Sequence, residues 1–166
     1  MMTKEEVLKQ FGEGLTKALE KDSKNKTWLA EAVGTQNQII NEYQKGVKDP
    51  QMYRVALIAR ALNVTVDELM TGQIRAKRKA LKGEVLPAPE FYKELNKRLN
   101  MVLEQAKMNN NQLAVKTGIN PGTTMNILNG KRKQPRLSTI AMMAAGMGAN
   151  INQLIPDLVI SESKEN

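Results

Sequence analysis

Four carboxamides and a carboxylate crowd one short stretch of the chain: Gln36, Asn37, Gln38, Asn41 and Glu42. A carboxamide offers one donor and one acceptor in a fixed fork, which matches the major-groove edge of adenine, and a carboxylate can accept from cytosine N4. The chemistry these residues suit is recognition. Catalysis has little to draw on. The chain of 166 residues has no cysteine and no histidine, so thiolate nucleophiles, disulfides, imidazole bases and most zinc sites are excluded. The acidic residues are scattered with no paired motif. No enzyme, no cofactor and no metal site is expected.

The elements that must hold those amides can be read around them. Asn25 is a good N-cap for a helix over 26–33, on which Leu29, Ala30 and Val33 form one apolar stripe. Gly34 marks a turn. A second helix over 37–45 turns Ile40 and Tyr43 inward and stops at Gly46, leaving the amides at its start and on its outer face, with Gln36 as N-cap. This is a helix-turn-helix arrangement. Trp28, beside Leu29, is expected to be a half-buried packing residue. A helix over 4–22 precedes the motif, with Val7, Leu8, Phe11, Leu15, Ala18 and Leu19 inward. Gly12 and Gly14 each weaken it by roughly 1 kcal/mol and are expected to bend or break it. Pro50 is expected at the first position of a helix reaching Leu62, which buries Val55, Ile58, Ala59 and Leu62, and Thr65 caps a short last helix carrying Leu69.

The pattern recurs. Leu113-Ala114, Gly118 and Gly130 repeat Leu29-Ala30, Gly34 and Gly46 at an offset of 84, and after one inserted residue Pro135, Ile140, Ala144, Met147, Ile151 and Leu154 follow at an offset of 85. That period suits a duplicated small domain better than a solenoid repeat. In the second copy a helix over 90–107 carries Leu95, Leu99, Val102, Leu103 and Ala106 inward. Asn109 caps a helix over 110–117, and Asn120-Pro121 opens the reading helix over 121–129. Its outer positions are Gly122, Thr123 and Asn126, with Thr124 at the core position of Ile40. The closing helices hold Ile140, Met142, Met143, Met147, Ile151 and Leu154, which are expected to fill the core, with a dimer contact through the methionines as the alternative.

Each copy resembles the DNA-binding domain of the lambda-repressor/Cro family, the XRE-like group of bacterial and phage regulators. The residues that carry the likeness are Leu29-Ala30, Gly34, Gly46 to Pro50 and Ala59 to Leu69, and again Gly130 to Pro135 and Ala144 to Leu154. The resemblance implies an all-α chain of two tandem five-helix domains, at 1–72 and 90–157, joined by a basic, proline-containing linker at 73–89 and followed by a polar tail at 158–166. It also implies a sequence-specific, repressor-like regulator with Asn37, Gln38, Asn41 and Glu42 at base edges and Gln36 beside them. In the second copy Thr123 and Asn126 take that role.

Charge points to the same partner. The net charge is +8, but residues 1–72 carry none of it, 73–91 carry +3, 92–156 carry +7 and 157–166 carry −2. A positive field attracts an anionic polymer. The phosphate contacts are expected from Lys26, Lys45 and Lys48 in the first copy, from Arg75, Lys77, Arg78 and Lys79 in the connector, and from Asn110, Lys131, Arg132, Lys133 and Arg136 in the second. The partner is double-stranded DNA in a cytoplasmic setting. No membrane partner is expected, since no apolar run has the length of a span. Homodimer or monomer on DNA stays open. The alternative function is a protein-docking module, antitoxin-like or anti-regulator, in which one helix-turn-helix binds a protein partner.

Overall fold

A computed structural model of the chain describes residues 1–75 and 85–156, and these are all-helical. The first half holds α1 (Lys4–Lys21), α2 (Lys26–Val33), α3 (Asn37–Gln44), α4 (Met52–Leu62) and α5 (Val66–Thr71). The second holds α6 (Ala88–Gln105), α7 (Asn110–Thr117), α8 (Pro121–Leu128), α9 (Leu137–Gly146) and a single 3-10 turn, Ile151–Gln153, in place of an expected fifth helix. Asn150 closes a capping box on that turn with Gln153, and Pro156 follows within three residues of its end, so the turn has little room to grow.

Capping chemistry sets most of the boundaries. Thr3 with Glu6, Thr65 with Glu68 and Asn109 with Gln112 form reciprocal capping boxes, and the Asn25 side chain accepts from the Trp28 N–H. Each such cap contributes about 1 kcal/mol. Gly34 and Gly118 close α2 and α7 at φ 73° and 76°, a left-handed conformation that a Cβ disfavours.

The prolines sit at helix starts in two ways. Pro87 is the N-cap of α6 and Pro89 lies in its first turn, so the prolines of the expected linker open a helix. First-turn amides have no intrahelical acceptor, so proline loses nothing there. Helix α6 therefore starts at Ala88, inside the expected linker. Pro50 is not in α4, whose N-cap is Gln51. Its carbonyl is used elsewhere, as described below.

Helix α1 is unbroken. Gly12 and Gly14 are buried because other backbone lies where their side chains would be. A Cβ on Gly12 would sit 2.5 Å from the Gln44 carbonyl oxygen, and one on Gly14 would run into the Leu69 carbonyl. The counterpart positions on α6 are Asn96 and Arg98. Asn96 Nδ2 donates to the carbonyls of Ile127 and Leu128 at 2.8 and 2.9 Å, the counterparts of Tyr43 and Gln44. Arg98 Nη1 donates to the Ile155 carbonyl at 2.7 Å, next to the counterpart of Leu69. The first half brings backbones into contact through glycine. The second spans a wider gap with polar side chains.

The helices keep the register of the sequence repeat. α6, α7 and α8 each begin 84 residues after α1, α2 and α3, while α9 and the 3-10 turn begin 85 after α4 and α5. The two sets meet in one seam. The Met52 N–H donates to the Pro135 carbonyl (3.0 Å) and the Leu137 N–H donates to the Pro50 carbonyl (2.8 Å), around an antiparallel bridge between Gln51 and Arg136. Residues 50–52 thus pair with residues 135–137, their own counterparts. Farther along, the Asp67 N–H donates to Asn152 Oδ1 at 3.0 Å, again a pair 85 apart. Helix packing follows suit: α4 meets α9, α5 meets the 3-10 turn, and α1 packs on α9 as α6 packs on α4. Contact between equivalent surfaces is the signature of a two-fold arrangement.

Side chains reinforce the seam. The Asp49 carboxylate accepts from the Ser138 N–H and hydroxyl, Arg136 Nη1 donates to the Asp49 carbonyl, and the Tyr53 N–H donates to the Tyr92 hydroxyl. The Phe91 ring meets Tyr53 and Tyr92 edge-on beside it, and the two tyrosine rings are tilted against each other. One hydrophobic core runs through both halves. Helix α9 buries Met143 and half-buries Met142, and it packs against α1, α4 and α7 of the same chain.

Two substitutions test this packing. Gly14→Ala is expected to lower stability by about 1–3 kcal/mol through overpacking. Asp49→Ala, which strands the Ser138 N–H and hydroxyl, is expected to cost about 1.5–3 kcal/mol. Urea-unfolding midpoints read both, and an unchanged midpoint for either variant contradicts the packing described.

Candidate nucleic-acid interface

The second half presents α8 through a small polar brace. Asn120 Oδ1 accepts from the Gly122 N–H at 2.7 Å and starts α8. Thr124, fully buried, donates to Asn110 Oδ1 at 2.6 Å, and Asn110 Nδ2 donates to the Pro121 carbonyl at 3.1 Å. These bonds pin the first turn of α7 to the first turn of α8 and fix the angle between them. Asn110, expected at a phosphate, is committed to this brace. The exposed face of α8 carries Gly122, Met125 and Asn126, while Thr123 is half-buried and offers less of itself than the sequence suggested. Met125 was missed by sequence reasoning. It stands 84 residues after Asn41, on the outer face, and its apolar character hid it. The offset alone would have found it.

A cationic loop follows at once. The Arg132 N–H donates to the Asn126 carbonyl at 2.9 Å and the Lys131 N–H to Asn129 Oδ1 at 3.0 Å, which folds the loop back on the end of α8. Lys131, Arg132 and Lys133 are exposed beside it. Arg136, expected with them, is drawn off to the seam by the Asp49 carbonyl. A cleft of about 500 Å³ separates this loop from α6, lined by Tyr92, Asn96, Leu99 and Ile127 below and by Arg132 and Lys133 at the rim. It lies beside Asn96, where the first half has close backbone contact at Gly12.

The first half's face is differently wired. Asn37 Nδ2 donates to Thr27 Oγ1 at 2.8 Å, Lys26 Nζ donates to Asn41 Oδ1 at 2.9 Å, and Lys48 Nζ lies 3.6 Å from Glu42 Oε1. Two expected phosphate contacts are thereby tied to two expected base contacts. Gln36, Gln38 and Lys45 are exposed. Behind this face Arg54 Nη1 donates to the Val33 carbonyl and joins α4 to the end of α2. Trp28 is half-buried, with Lys24 Nζ 4.6 Å from its ring centroid. The Arg75 N–H donates to Glu68 Oε2 at 2.9 Å while its side chain is exposed. Lys77, Arg78 and Lys79 lie outside the described residues, as do residues 158–166.

Residues 98–156 match the family model of the Cro/C1-type HTH DNA-binding domain. The second half of the chain thus carries a Cro/C1-type helix-turn-helix domain. The match takes in the end of α6, then α7, α8, α9 and the 3-10 turn, so it includes the brace and the cationic loop. The family likeness read on both halves is supported for this one. No curated protein and no solved structure matches the chain. Among the described residues, no helix is long and apolar enough to cross a membrane.

The brace and the reading face separate by mutation. Asn110→Ala removes the carboxamide that joins the Thr124 hydroxyl to the Pro121 carbonyl, while that hydroxyl keeps the Pro121 carbonyl at 3.1 Å, and is expected to cost about 1–2 kcal/mol of stability for the two bonds lost. Asn126→Ala, on the exposed face, is expected to stay within about 0.5 kcal/mol of the parent. Urea unfolding of the two variants checks this, and equal midpoints would remove the brace from the description.

Proposed function

We propose that the chain is a sequence-specific, repressor-like DNA-binding regulator in which α8 lies in the major groove and the loop after it grips the phosphates. The observation that carries this is the Cro/C1-type match laid over a braced helix whose exposed outer face is followed directly by Lys131, Arg132 and Lys133. Asn126 suits adenine, and Met125 and Thr123 suit a thymine methyl. The exposed cations bring the helix to the duplex through counterion release.

The first half, in this proposal, is a second copy of the same fold. The support is the shared helix order at constant offset and the closing of α2 and α7 by glycine in one conformation. Its reading positions are Gln36, Asn37, Gln38, Asn41 and Glu42. Its phosphate contacts are Lys26, Lys45 and Lys48, of which Lys26 and Lys48 must let go of Asn41 and Glu42 or carry them along. Arg75, Lys77, Arg78 and Lys79 add phosphate attraction from the connector.

Binding to the DNA upstream of its own gene, titrated with salt, tests the proposal. With roughly 6 phosphates neutralised, log K falls against log salt with a slope near −5. Replacing Lys131, Arg132 and Lys133 together by glutamine is expected to flatten the slope by about 3. Affinity no better than for random DNA, or a slope untouched by the triple variant, rejects it.

A further inference from the structure

The seam says how such a protein would meet its DNA. Residues 50–52 pair with residues 135–137, and Asp67 pairs with Asn152. Each of these segments touches its own counterpart. A translation or an arbitrary rotation would set a residue against some other position, and only a two-fold rotation sets it against itself. The pseudo-axis therefore passes through both contacts. The same rotation carries α1 to α6, α3 to α8 and α4 to α9, and it accounts for α1 packing on α9 while α6 packs on α4.

Helices α3 and α8 precede the bridge residues Gln51 and Arg136 in the chain, and the rotation that exchanges those residues exchanges the two helices, which sets them at one level along the axis, one on each side. B-form DNA has two-fold axes of its own, perpendicular to the helix and relating one strand to the other. Two reading helices related by a two-fold meet the two strands in inverted order, one helical turn apart. The two helices differ on their outer faces: Asn37 against Pro121, Gln38 against Gly122, Asn41 against Met125, Glu42 against Asn126. One half-site is met by carboxamides and the Glu42 carboxylate, the other by Thr123, Met125 and a single asparagine. The seam groups, Asp49, Gln51, Tyr53, Arg136 and Ser138, are all occupied within the chain, so no second molecule can use them to build the same arrangement.

We infer that one chain, acting alone as a covalently joined pseudo-dimer, reads an inverted pair of unlike half-sites. This rests on the DNA-binding reading above. Because the halves are linked, binding at one half-site presents the other at high effective concentration, and the seam does not depend on protein concentration.

Selection of duplexes from a random pool by the full chain tests it, with native mass spectrometry of the selected complex giving the number of chains per duplex. The expected result is a site of two dissimilar half-sites in inverted orientation, centred about 10 base pairs apart, holding one chain. Inserting half a turn between them should weaken binding at least tenfold. The Gln38→Ala/Asn41→Ala variant should relax preference in one half-site, and the Met125→Ala/Asn126→Ala variant in the other. A single half-site, a direct repeat, or two chains on a symmetric site overturns the inference while leaving DNA binding in place. Enrichment of no sequence at all removes the DNA-binding reading and this inference with it.

Discussion

The arrangement hangs on two backbone hydrogen bonds. The Met52 and Leu137 amides, each at the start of a helix where no intrahelical acceptor exists, donate to Pro135 and Pro50 across the molecule. Both acceptors are prolines, which have a carbonyl to give and no N–H to satisfy. Each pair of segments thus meets the other's need: orphan donors at two helix starts, and carbonyls held by rings with φ already set. A unit of roughly 65 residues is close to the lower limit of what one core can stabilise. Here neither half has to stand alone, since the bridge aligns α4 with α9 and the core continues from one half into the other.

With that seam in place, differences between the halves become legible as a division of labour. Glycine at 12 and 14 lets α1 lie directly on the ends of α3 and α5. Asparagine at 96 and arginine at 98 hold α6 off by the length of a side chain and leave the cleft under the cationic loop. Residues 1–72 carry no net charge, and Lys26 and Lys48 are tied to Asn41 and Glu42. Residues 92–156 carry +7, with Lys131, Arg132 and Lys133 exposed immediately after α8. In the proposed function the second half supplies attraction and the first supplies amide readout, and the pseudo-axis fixes the angle at which the two are delivered.

Much of this could be read from the sequence wherever the cause was local. Asn25, Thr65 and Asn109 cap their helices because a side-chain oxygen two or three residues upstream of a free amide is enough. The turn glycines needed no partner, and the 84- and 85-residue offsets reappear in the helix starts. What could not be read was set by atoms far along the chain. Gly12 and Gly14 look like weaknesses until the carbonyls of Gln44 and Leu69 occupy the space of their side chains. Pro50 fits the first turn of a helix by local rules, and its displacement follows from Leu137. Asn110 has the composition of a phosphate contact, and only Thr124 and Pro121 reveal it as a brace. Met125 was passed over because an apolar residue in an amphipathic helix is assumed to face inward.

The claim on which the rest depends is that the two halves are one body closed by reciprocal pairing at the pseudo-axis. Native-state hydrogen exchange, resolved to single amides, addresses it directly. The Met52 and Leu137 amides, though first in their helices, are expected to exchange as slowly as the helix interiors of α4 and α9 and to open together with them. Rapid exchange at these two amides while the helix interiors remain protected would mean that the halves part freely, and would contradict the account.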